Sequence, residues 1–160
     1  MDRFWRAYDQ LPVAATTADS LAIIQTRYLD PATPGLRVYM DAAHATAADF
    51  LRAIRTHRRH LLAIRPATLT IAIVTAARKL KKAYPASVFP DLYFAIGMFR
   101  VGGTQFGNLL YVGAELKCTT SAPPLSELHP DLRGSISPVE AISTVCIHEI
   151  VHAQQQLQNS

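Results

Sequence analysis

Two histidines, His148 and His152, bracket Glu149 in the stretch His-Glu-Ile-Val-His near the end of the chain. On a helix, residues at i and i+4 share a face, so both imidazoles can reach one metal ion. Zinc takes nitrogen ligands of this kind in a tetrahedral shell, and a catalytic site keeps one position for water. Glu149 falls beside that face, where it can collect a proton from the water during attack on a carbonyl. The HExxH spacing therefore predicts a zinc hydrolase site, with Zn2+ as cofactor, His148 and His152 as ligands and Glu149 as catalytic base. Such a site takes a third protein ligand. Glu115 is the leading upstream substitute, and its plainer reading is a carboxylate that supports the site or the fold. Glu127, His129 and Asp131 are further candidates, with solvation as their plainer reading. Glu140 would stand two helical turns before the motif, about 12 Å along the axis, and is assigned no part in catalysis.

The motif must sit on a helix, and the sequence gives that helix a start. Ser137 reads as an N-cap, Pro138 as the first helical residue and Glu140 as the acidic partner of a capping box. The motif helix is expected over 137–157. Upstream, 1–85 read as helical. One helix spans Asp2–Gln10. A second is capped by Thr17 and runs to Leu29. A short third covers Pro34–Asp41. From Thr46 to Arg65, Phe50, Ile54, His57, Leu61 and Ile64 share one face, while Arg52, Arg55 and Arg59 share another. His57 and the neighbouring His60 read as histidines at the edge of a core. A further helix starts at Pro66, with Leu69, Ile73, Ala76 and Leu80 as its stripe. Arg78, Lys79, Lys81 and Lys82 crowd its last turn, and Pro85 closes it. This cationic face could dock an anionic surface; its plainer reading is solvated.

Between the helical half and the motif, the composition shifts to aromatic and β-branched residues. Asp91–Phe99 and Asn108–Glu115 flank a glycine-rich connection and read as an antiparallel pair, a hairpin over 91–116. Gly102-Gly103 lacks the context of a phosphate loop, and its glycines are assigned to a turn or to a close approach. The segment 117–136, with Pro123, Pro124, Pro130 and Gly134, reads as a loop. The fold class is α+β, in one domain over 1–160.

With 160 residues, the chain is long enough to bury a core. The longest apolar run, Leu69 to Ala77, is too short to cross a bilayer, and the N-terminus has no apolar signal core. The net charge of +4 is mild. A nucleic-acid module would rest on the arginine-rich helix alone, so no nucleic-acid partner is assigned. Cys118 and Cys146 are too few for a disulfide framework, and Cys146 reads as a small buried residue turned away from the metal face.

The segment YFAIGMFRVGGTQFGNLLYVGAE (Tyr93–Glu115), followed by HEIVHAQQ (His148–Gln155), resembles a group of bacterial predicted zinc-dependent proteases. That group is related to the gliding-motility lipoprotein B proteins. The opening FWRAYDQL and the LKKAYP of Leu80–Pro85 are similar to it too, so the resemblance covers nearly the whole chain. It implies a zincin-like metallopeptidase fold in an exported, often lipid-anchored envelope protein, with a peptide or protein substrate. His148 and His152 match the ligand positions and Glu149 the catalytic base. In the family, an acidic residue beyond the motif looks like the third ligand. The chain is accordingly expected to be incomplete at its C-terminus and inactive as a fragment. The alternative function is a non-catalytic envelope or motility scaffold that keeps the zincin-like fold and binds an envelope protein partner.

Overall fold

The computed structural model describes residues 1–69, 74–120 and 124–158. Its architecture is α+β: a helical N-terminal half, a small mixed sheet, and then the helix that carries the motif. The first six helices are α1 (Asp2–Gln10), α2 (Thr17–Ile24), α3 (Pro34–Ala43), α4 (Ala47–Thr56), α5 (Arg58–Thr68) and α6 (Val74–Ala83). The cap of α2 is Thr16 rather than Thr17. Asp19 stands three residues after Thr16 and returns the bond to its backbone, which completes a capping box that Thr17 has no acid to form. After α2 the chain winds into one π-helical turn, Gln25–Leu29, which carries Tyr28 and Leu29 into the core.

The helix expected over Thr46–Arg65 is broken at His57, so that α4 and α5 are separate elements. The reason is tertiary. Glu127, far along the chain, accepts a bond from the His60 amide at 2.9 Å and pairs with Arg59 at 2.9 Å. It thus serves as an N-terminal acceptor for α5. Pro66 does not open a new helix; it lies inside α5, which ends at Thr68, soon after the ring removes a backbone donor. Of the stripe expected from Leu69 to Leu80, Ile73 lies outside the described residues, and the helix is seen from Val74.

The sheet has strands β1 (Asp91–Ala95), β2 (Gly103–Phe106) and β3 (Leu109–Gly113), in the order β1-β3-β2. The two apolar runs do pair, but in parallel, with Asp91 opposite Leu109 and Ala95 opposite Gly113. The antiparallel partner of β3 is β2, which forms inside the glycine-rich connection. Gly107, at a φ of 56°, supplies the turn between them. A polar strand (Gly-Thr-Gln-Phe) at the sheet edge has no apolar alternation to announce it.

The core joins the two halves. Phe4, Trp5, Tyr28 and Phe50 pack edge to face, with Phe4 and Tyr28 ring centres 5.2 Å apart. The Tyr28 hydroxyl donates to the Ile96 carbonyl at 2.6 Å, just past β1. Tyr39 of α3 stacks on Tyr111 of β3 at 4.5 Å. Gly35 lets α3 meet the sheet: a Cβ there would lie 2.6 Å from Tyr93 Cγ. Asp9 and Arg65 form a two-pronged pair at 2.7 Å, and the Arg65 guanidinium covers the Trp5 ring, so α5 is tied to α1.

Beyond β3, the chain makes a single turn of helix, α7 (Ala114–Lys117), so the strand ends at Gly113 and not at Glu115. The expected loop contains a short helix of its own, α8 (Pro130–Arg133). The capping box of Ser137 and Glu140 is not formed. The Ser137 backbone is committed instead to Leu116 and Thr119, at 2.9 and 3.0 Å. A 3-10 turn, Val139–Ala141, with no side-chain cap, then leads into α9 (Ile142–Gln158). Cys118 and Cys146 are buried free thiols, and burial pushes each pKa up to about 12. Among the described residues, no helix is long and apolar enough to cross a membrane.

Candidate metal centre

The motif lies within α9, which turns Cys146 and Ile150 into the core and leaves His148 and His152 exposed. The i, i+4 spacing brings the imidazoles together, with His148 Nε2 2.9 Å from His152 Nε2 and the ring planes 87° apart. At that distance one ring donates its N–H and the other accepts with its lone pair. Two nitrogens about 2.0–2.1 Å from a tetrahedral zinc stand about 3.3 Å from each other. The nitrogens are slightly closer than a zinc-bound pair, and their donor chemistry fits zinc at two of its positions.

Glu149 is half-buried and faces the sheet edge. A Cβ at Gly103, the first residue of β2, would lie 3.7 Å from its carboxyl carbon. The candidate base thus lies against an edge strand that pairs only with β3 among the described residues. The proximity of Gly103 to Glu149 carried no signal in the sequence, because it depends on β2, which the sequence pattern does not reveal.

Glu115 has another occupation. It is fully buried, and its carboxylate accepts the Gly97 amide at 2.9 Å and the Phe99 amide at 3.3 Å. Burial pushes its pKa up to about 7, against the pull of those amide bonds. Its Oε1 and the hydroxyls of Tyr39 and Tyr111 surround Gly97 closely, so that a Cβ there would be 2.7, 3.0 and 2.5 Å from them. The Tyr39 hydroxyl also accepts the Met98 amide at 3.1 Å. This cluster fixes Ile96–Phe99, where Phe99 takes a left-handed φ of 57°.

Glu127 is engaged by Arg59 and His60, as described above. His129 Nδ1 lies 3.3 Å from Asp131 Oδ2 on the surface, with both side chains exposed. His60 is fully buried and bonds the Glu115 carbonyl through Nε2 at 2.9 Å. His57 packs on the Phe99 ring at 4.1 Å. Burial lowers the pKa of both histidines. Among the described residues, no three His, Cys, Asp or Glu side chains are grouped so as to hold a metal. The structure thus brings His148 and His152 together, sets Glu149 against Gly103 of β2, and does not bring Glu115, Glu127, His129 or Asp131 to the pair. Comparison of the chain with protein-family models, with curated proteins and with solved structures finds no match.

Proposed function

We propose that this chain carries the core of a zinc-dependent metallopeptidase, with His148 and His152 as ligands and Glu149 as general base. The observation that supports it best is the approach of two exposed imidazole nitrogens to 2.9 Å, next to a carboxylate aimed at an edge strand. A zinc ion held there supplies a Lewis acid and a water of lowered pKa. Glu149 takes the proton of the attacking water and passes it to the leaving amine. The outer edge of β2 offers backbone groups on which an extended peptide can lie, so that its carbonyl reaches the pair. The resemblance to the gliding-motility-related proteases implies that the third ligand is acidic. The same resemblance implies an exported, envelope-associated location.

A second reading, a non-catalytic envelope scaffold, draws support from the use of Glu115 inside the fold and from the absence of a third ligand among the described residues. Zinc titration by calorimetry tests the ligands, and loss of turnover in Glu149→Gln separates the two readings. The metallopeptidase reading expects stoichiometric zinc binding that His148→Ala weakens by at least about tenfold. Equal affinity in the variant would remove His148 from the site.

A further inference from the structure

We infer that the groove between α6 and α9 binds a segment of the peptide substrate that is both acidic and aliphatic. That the ligand is a substrate rests on the metallopeptidase reading; that the groove binds such a segment does not. The groove is open, with a volume of about 390 Å³, and Ala76, Leu80, Ala83 and Ile147 give it an aliphatic floor. Thr144 also lines it, and His148 stands one turn further along the same helix, so a chain in the groove is led to the candidate metal centre. Val151, one turn after Ile147, is 40% exposed and extends the apolar surface.

The rim is cationic. Lys79 lines the groove, and Lys82 stands three residues on, beside it on the helix surface. Arg78 adds a third exposed cation, and α6 contains no acid. Lys81 is occupied by the Ser87 carbonyl at 2.8 Å. Arg78, Lys79 and Lys82 form no ion pair among the described residues. A cationic face alone is ordinarily a solvated one. Here it borders an aliphatic groove next to the motif, and carboxylates would complement it. A single-stranded nucleic acid would call for stacking rings beside the cations, and the groove lining has none.

The test is fluorescence anisotropy with zinc-free whole chain and a short labelled peptide of glutamates interspersed with leucines. Its counterpart carries glutamine in place of glutamate. The glutamate peptide should bind about tenfold tighter at low ionic strength, and the gap should close as salt is added. Lys79→Glu/Lys82→Glu, both at exposed helical positions, should abolish the preference with an unchanged circular dichroism spectrum. Serine in place of the leucines should weaken binding. Equal binding of the two peptides, or a preference that survives the lysine changes, overturns the inference. So does tighter binding of a single-stranded oligodeoxynucleotide that displaces the peptide. Zinc-dependent cleavage is scored separately. Binding without cleavage would leave the groove and remove the hydrolase; cleavage indifferent to Lys79→Glu/Lys82→Glu would do the reverse.

Discussion

Glu115 keeps a carboxyl group inside the core with two backbone amides in place of a cation, and the balance shows in its titration. Its folded pKa of about 7 lies above the ordinary 4.5. Between those values the folded protein holds a proton that the unfolded chain has released. Stability contributed by this group therefore falls as pH rises through that window, by about 3 kcal/mol at most. His57 and His60 act in the opposite sense. Their folded pKa values lie below 6.5, so their contribution is present above that value and is lost as pH falls beneath it. Glu115→Gln isolates the carboxyl. Whatever its fixed cost, the variant should gain stability relative to wild type as pH is raised from about 5 to about 8, in urea unfolding curves. A difference that does not change with pH would contradict the buried carboxyl. This residue shows what a sequence can and cannot disclose. The histidine pair was legible because the helical period alone brings i and i+4 together. The partners of Glu115 were not, because they come from a segment that only the sheet returns to it.

The elements were legible where a local signal governs them and obscure where a distant residue does. The stop of α1 before Pro12 and the apolar stripe of α4 follow from a local breaker and from period. The break at His57 follows from Glu127, which no local pattern announces. The sheet was legible as two apolar strands, but their direction depended on β2, a polar edge strand hidden in a connection. α9 starts later than Ser137 because the Ser137 backbone pairs with α7 and the bridge at Thr119 instead of opening a helix. The contact of α3 with β1 offers a direct check. Ala in a helix is worth about 1 kcal/mol more than Gly by propensity alone. At Gly35 the added methyl would collide with the Tyr93 side chain. Gly35→Ala should therefore lower the urea midpoint, with a cost of about 1–3 kcal/mol from overpacking. A raised midpoint would mean that α3 does not sit on β1 as described.

At the scale of the whole molecule, the helical half and the sheet act as a mount for one helix. The aromatic core fixes β1 and β3, β3 carries β2, and β2 lies against Glu149. On its other side, α9 faces α6 across the aliphatic groove. The histidine pair, the carboxylate and one wall of the groove thus share α9, and the account of function depends on what that element does with zinc and a peptide. The most direct test is hydrolysis of an unstructured protein, with Glu149→Gln measured beside wild type at matched zinc occupancy. Removal of a general base at an intact metal site should keep zinc affinity within a few-fold and lower turnover by about 10²–10⁴. Unchanged turnover in Glu149→Gln would contradict the assignment of Glu149, and with it the central claim.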